Sequence, residues 1–143
     1  MLINEVLQDI RFRSFFMDGE MVCECLALFF KVSTVGWVSL TVSEGTSKFE
    51  VSKFEPELID LSKISDNFAY PISSLKGLDK YLGLKISAIY EYRIKNIKEG
   101  CIGVFIEFGD CGVSFIEVEG CLRIVEGVMQ YSNTDVFLHK IEV

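Results

Sequence analysis

A chain of 143 residues that is 50% hydrophobic and 13% aromatic carries enough apolar side chains for a packed core, which excludes intrinsic disorder. Its net charge of −7 argues against nucleic acid or an anionic membrane as the partner, since both are bound through positive surface. The length predicts a single domain over residues 1–143.

The N-terminal residues lack a basic run followed by a long apolar stretch, so we expect no secretory signal. The longest unbroken apolar run, Cys25–Phe30, is about a third of the roughly 20 residues that span a bilayer. The chain has five cysteines. An odd number of cysteines in a protein without a secretory signal is better explained by reduced thiols than by a disulfide framework. We therefore expect a cytoplasmic protein whose cysteines are mostly small core residues: Cys23, Cys25, Cys101, Cys111 and Cys121.

The first half of the chain predicts a helix and then strands. Residues 2–10 place apolar side chains on one helical face, and an early transition to a strand through Arg11–Met17 is the alternative. Residues 38–43 alternate between apolar and polar side chains, which is typical of a half-buried strand.

The second half predicts the same kinds of element. Residues 74–82 predict a second helix, with Ser74 as its N-terminal cap and Gly83 as its stop. Residues 84–95 alternate in the manner of a strand, and residues 102–108 and 113–116 predict a hairpin around a turn at 109–112. Residues 135–143 predict a last strand.

A shift of 64 residues aligns the two halves without a gap. It superimposes three glycines at apparent strand ends on three others, Gly19, Gly36 and Gly45 on Gly83, Gly100 and Gly109, and the apolar phase of the strands also matches. This predicts pseudo-repeats at about 1–64 and 65–143. The predicted fold class is α+β and β-rich, with two pseudo-repeats of antiparallel strands plus a short helix packed in one domain.

The motifs of the common enzyme classes do not occur in the sequence. It has no phosphate-binding glycine loop, dinucleotide fingerprint, nucleophile elbow or zinc-protease motif. The only histidine is His139, which falls near the end of the predicted last strand, where a structural or surface position is the simpler interpretation. No Cys-x-x-Cys pair suggests a zinc site. We expect no enzymatic activity, no metal and no cofactor.

Acidic residues are concentrated in two segments. Residues 99–126 contain six acidic residues against Arg123 alone, and residues 44–60 contain five against Lys48 and Lys53. Residues 61–98 have an excess of basic residues instead. Such blocks are typical either of a solvated surface or of a binding surface, and both interpretations stay open.

The stretch Leu82–Tyr90 leading into Gly103–Asp110 is similar to small bacterial β-domains found in polymorphic toxin systems. With its small size, acidity, β-rich pattern and lack of enzyme motifs, the chain resembles the immunity proteins of contact-dependent growth inhibition. The resemblance implies a protein that binds the toxic C-terminal domain of a cognate toxin, often a nuclease, and neutralises it by masking the active site.

A nuclease domain of that kind has a basic cleft, which an acidic surface complements. The expected partner-binding residues are carboxylates in and beside the predicted hairpins, namely Glu44, Glu55, Glu57, Glu107, Asp110, Glu117 and Glu119. We expect the protein to be a monomer or a weak dimer.

The repeated strand and helix layout also resembles the Whirly fold, whose members bind single-stranded nucleic acid. The alternative function is therefore a single-stranded nucleic-acid-binding module, with Tyr90 and Tyr92 as stacking residues and Arg93, Lys95 and Lys98 as positive charges. The acidic balance of the chain departs from that family. A third option is an oligomeric structural or adaptor protein.

Overall fold

The structure, a computed structural model, describes residues 1–143 and consists almost entirely of β-strands. The strands are β1 (Leu7–Met17), β2 (Glu20–Val32), β3 (Gly36–Ser43), β4 (Thr46–Ser52), β5 (Phe68–Ala69), β6 (Ile72–Ser74), β7 (Ala88–Ile94), β8 (Cys101–Phe108), β9 (Cys111–Val118), β10 (Cys121–Glu126) and β11 (Val136–Ile141). Two single-turn 3-10 helices cover Leu61–Lys63 and Asp79–Tyr81.

The strands form two antiparallel sheets. Sheet 1 has the order β4-β3-β2-β1, with β5 and β6 both paired to the free side of β1. Sheet 2 has the order β10-β9-β8-β7-β11. The prediction of a β-rich antiparallel protein is therefore confirmed.

The core lies between the two sheets. Alternation along each strand places one set of side chains inward, and 21 buried residues from both sheets form one apolar cluster. Leu28 and Leu40 of sheet 1 and Val104 and Phe115 of sheet 2 have no exposed surface. Each buried side chain of this size stabilises the fold by roughly 1.5–3 kcal/mol relative to an exposed one.

Three of the hairpins are closed by tight two-residue turns with both central residues at positive φ, at Asp18–Gly19, Glu44–Gly45 and Glu119–Gly120. This is the type I′ geometry, which matches the twist of the flanking strands. These turns fix the register of the strands on either side.

The two predicted α-helices are wrong. Asn4 has a φ of 72°, and β1 begins at Leu7, so residues 2–10 are an irregular start followed by strand. In the second region Gly77 has a φ of 96°, and only Asp79–Tyr81 forms a helical turn. Pairing of β1 with β2 satisfies the backbone groups and buries the same apolar side chains, which outweighs local helix preference.

The α+β part of the predicted class is thus corrected to a two-sheet β fold. Neither helical turn has the length to cross a membrane. The segments β2-β3-β4 and β7-β8-β9 are both three-stranded meanders, but whether they reflect pseudo-repeats stays a prediction.

A disulfide between Cys23 of β2 and Cys121 of β10 links the two sheets, with Cα atoms 5.8 Å apart. The expectation of five reduced thiols is wrong for this pair. The two cysteines are 98 residues apart in sequence, and only the packing of the sheets brings them together. Cys25 and Cys101 are free and buried, as expected, whereas Cys111 is free and exposed.

Candidate functional site

Three of the predicted carboxylates lie at one end of sheet 2. Glu44 occupies the β3–β4 turn, and the next residue, Gly45, accepts a hydrogen bond of 3.0 Å from the Cys101 amide at the start of β8. Glu117 and Glu119 lie at the end of β9, which is antiparallel to β8 and therefore finishes beside the start of β8. We call Glu44, Glu99, Glu117 and Glu119 the acidic end; Glu99 was not among the predicted site residues.

The acidic end is built on tight turns. Glu117 accepts a hydrogen bond of 2.8 Å from the Gly120 amide, which holds the β9–β10 turn. Glu44 and Glu119 are exposed, and both have a φ of 52°, in the left-handed region. Asn or Gly is preferred at this turn position, so each glutamate occupies a backbone conformation that another residue would adopt at lower cost.

Glu107 and Asp110 lie elsewhere, at the opposite end of sheet 2. Glu107 lies near the end of β8 and Asp110 lies in the β8–β9 turn, and β9 runs its full length between this turn and Glu119. At 3.3 Å per residue, the two ends are about 23 Å apart. Glu107 accepts a hydrogen bond of 2.8 Å from the Ser87 hydroxyl. The predicted carboxylates of β8 and β9 therefore do not form one surface.

Glu55 and Glu57 follow β4 and lie beside the outer face of sheet 1. The guanidinium of Arg11 is 3.4 Å from the Glu55 carboxylate and also donates to the Pro56 carbonyl at 2.5 Å. The same guanidinium stacks over Trp37, 4.7 Å from the ring centroid. Glu55 is thus part of an intramolecular contact.

Six of the seven predicted carboxylates have no ion-pair partner in the chain: Glu44, Glu57, Glu107, Asp110, Glu117 and Glu119. Their charge is not neutralised by nearby cations. It remains available to a positively charged partner.

A polar network lies under the acidic end, between the sheets. Glu91 of β7 accepts a hydrogen bond of 2.5 Å from the Ser47 hydroxyl of β4, and Arg93 contacts it at 3.0 Å. Burial raises the pKa of Glu91, but hydrogen bonds from Ser47, Cys101 and Arg93 outweigh it and leave the pKa below the ordinary value. The network therefore holds an ionised carboxylate that ties sheet 1 to sheet 2.

The buried thiols are not suited to nucleophilic chemistry. Burial raises the pKa of Cys25 to about 12 and that of Cys101 to about 11. Both thiols are therefore protonated at neutral pH, and the thiolate is the reactive form. His139 is exposed on β11, where its backbone pairs with Glu91.

The predicted nucleic-acid residues do not form a stacking platform. Tyr92 is 1% exposed, and its hydroxyl lies 2.7 Å from Ser114 Oγ and accepts from the Met129 amide. Its assignment as a stacking residue is wrong, because β7 directs it into a second apolar cluster. Arg93 is occupied by Glu91 and the Lys98 carbonyl, whereas Lys95 and Lys98 are exposed.

The free edge of β10 and the cavities beside it were not predicted from the sequence. A cavity of about 530 Å³ is lined by β10 together with Phe12, Cys25 and Leu75. Strand order within a sheet decides which strand is an edge, and local patterns do not report strand order. The apolar alternation of residues 122–125 was the only available signal.

The comparisons with known proteins add no relative. The chain matches no protein-family model, no curated protein and no solved structure.

Proposed function

We propose that this protein is an immunity protein that binds a cognate basic toxin domain, such as a nuclease domain, and neutralises it by masking its active site. The observation that carries the proposal is the acidic end, where Glu44 and Glu119 are exposed, unpaired and held in left-handed turn positions. Departures from the preferred turn chemistry are expected at functional positions.

Electrostatics favours this kind of partner. The chain has a net charge of −7, and negative surface accelerates association with a positive cleft. The carboxylates stand on a rigid base, because the Gly45 carbonyl bonds to β8 and Glu91 ties Ser47 to Arg93. Preorganised charges lose less conformational entropy on binding.

Two observations support a narrower contact surface within this proposal. Glu55 is engaged by Arg11, and Glu107 and Asp110 lie about 23 Å from the acidic end. We therefore propose Glu44, Glu99, Glu117 and Glu119 as the principal contact.

The proposal predicts that a large secreted or surface protein with a basic C-terminal domain is encoded next to this chain, and the test uses that domain. Purified toxin domain is mixed with this protein, and both complex formation and residual toxic activity are measured. We expect a one-to-one complex, loss of toxic activity, and an association rate that falls as salt rises. An active toxin domain in a stoichiometric excess of this protein would contradict the proposal.

A further inference from the structure

The strand β10 is at the edge of sheet 2, and one of its sides carries unpaired backbone groups. The two-residue turn at Glu119–Gly120 makes Val118 and Cys121 a hydrogen-bonded pair, and the bonding then alternates along the strand. The N–H and C=O groups of Leu122, Ile124 and Glu126 therefore point away from β9. No other backbone group of the chain bonds to them.

A cavity of about 530 Å³ follows this edge. It is lined by the five consecutive residues 121–125, and successive side chains of a strand point to opposite faces. A cavity that touches all five therefore lies along the edge of the strand. A second cavity of about 510 Å³ also contacts Phe12 and Glu24 and therefore lies beside the first. We call the first cavity, which follows β10, the groove.

The groove is bounded at both ends. At the start of β10 the Cys23–Cys121 disulfide closes it. At the other end the Tyr81 hydroxyl donates to the Gly112 carbonyl at 3.0 Å and contacts Glu126 at 3.1 Å. Ile124 is half-buried and Glu126 is exposed, so their unpaired groups are accessible to a segment that enters the groove, whereas Leu122 is 5% exposed.

Charge around the groove indicates the kind of occupant. The groove wall carries one acidic and one basic side chain, Glu24 and Arg123, and neither has an ion-pair partner. Glu117 and Glu119 lie just before β10 and add negative charge at that end of the groove. The opposite wall supplies the apolar side chains of Phe12 and Leu75. An extended segment with apolar side chains at alternate positions and a basic residue at one end complements both features.

We propose that the free edge of β10 binds such a segment of a partner protein by strand addition. About five residues of the segment pair with Leu122, Ile124 and Glu126, and its alternate apolar side chains fill the cavity between β10 and Phe12. Main-chain hydrogen bonds then supply affinity, and the cavity supplies selectivity for the side chains. Only one part of this inference, the basic residue of the bound segment, rests on the proposed function.

The test uses a phage-displayed library of linear dodecapeptides and a synthetic copy of the enriched sequence. Binding is measured to the wild type, to Ile124→Pro and to Ile124→Ala. Proline removes the outward N–H of residue 124 without removing a bond to β9, so the strand is retained. The alanine variant loses the same side-chain contacts but keeps the N–H, and it is the matched control.

We expect the enriched peptide to alternate apolar residues and to slow amide hydrogen exchange at Leu122, Ile124 and Glu126. Its dissociation constant should rise at least about tenfold in Ile124→Pro relative to Ile124→Ala, which is about 1.4 kcal/mol. Lack of enrichment, unchanged exchange at the three amides, or equal affinity of the two variants would overturn the proposal. So would a dimer of the free protein that already protects these amides, since the occupant would then be a second copy.

The two proposals fail separately. A toxin domain that is inhibited while the three amides exchange as in the free protein would leave the proposed function standing and refute strand addition. A peptide that protects the amides, combined with a toxin domain that is not inhibited, would do the reverse.

Discussion

Glu5 shows how a single buried carboxylate organises the β2–β3 connection. It is 9% exposed and accepts hydrogen bonds from the Thr34 and Val35 amides at 2.7 and 2.8 Å. The bond from the Val35 amide is the largest cause that lowers the pKa of Glu5 below its ordinary value of 4.5. The ionised carboxylate therefore favours the folded state.

Because the pKa of Glu5 is lowered on folding, its contribution to stability is present above about pH 4.5 and is lost as the pH falls through the folded-state value. Glu5→Gln should be less stable than the wild type at pH 7, and the two unfolding free energies should converge as the pH falls below the folded-state pKa of Glu5. Urea unfolding at several pH values measures this, with Glu20→Gln as the exposed control. A difference that stays constant with pH would contradict the account.

Glu119 is a second residue whose backbone conformation lowers the stability of the fold by a measurable amount. Asn adopts the left-handed conformation of a type I′ turn more readily than Glu, so Glu119→Asn should raise the free energy of unfolding by about 0.5 kcal/mol. If the carboxylate binds the partner, the same change should weaken binding. A stability unchanged by the substitution, measured by chemical denaturation, would show that the turn does not disfavour Glu.

At the scale of elements, the β3–β4 turn packs closely against the chain just before β8. A Cβ at Gly45 would lie 1.8 Å from the Glu99 carbonyl oxygen, and the φ of Gly45 is 76°. Gly120 has a similar φ of 83° but no atom within 4 Å of a Cβ. Gly45→Ala should therefore cost at least about 3 kcal/mol, against about 1–2 kcal/mol for Gly120→Ala. If thermal unfolding shows similar losses of stability in Gly45→Ala and Gly120→Ala, the β3–β4 turn does not make this contact.

The disulfide is the covalent link between the sheets. A closed loop of 98 residues stabilises the folded state by about 4.7 kcal/mol in the chain-entropy account. The double variant Cys23→Ser/Cys121→Ser and the reduced wild type should both lose this amount, whereas Cys111→Ser should stay within about 0.5 kcal/mol. Alkylation of the denatured, unreduced protein should modify three cysteines. Modification of all five would contradict the link.

At the scale of the whole molecule, alternation in the sequence predicted many strands but not their arrangement. Residues 38–43 and 102–108 were recognised because one face is apolar, and that face does line the core. Residues 2–10 and 74–82 have apolar spacing compatible with a helix, and only long-range pairing and the left-handed Asn4 and Gly77 decide otherwise. Local pattern does not contain that information.

The sequence predicted where the acidic residues of the candidate site occur along the chain, but not how these residues are arranged in space. The acidic segments were evident from the sequence, whereas the separation of Glu107 from Glu119 depends on the length and direction of β9. The intramolecular pairing of Glu55 depends on Arg11, which is 44 residues away in sequence. The disulfide and the β10 groove depend on how the two sheets pack.

The central claim is that the acidic end binds a basic partner, and the most direct measurement is the affinity of the neighbouring basic toxin domain for two charge-reversal variants. Glu44→Lys/Glu119→Lys reverses two charges at the acidic end, and Glu57→Lys/Asp110→Lys reverses two exposed, unpaired charges elsewhere. We predict that the first variant weakens binding at least about tenfold and slows association, while the second stays within about threefold of the wild type. Equal affinity of both variants, or a larger loss in the second, would contradict the claim.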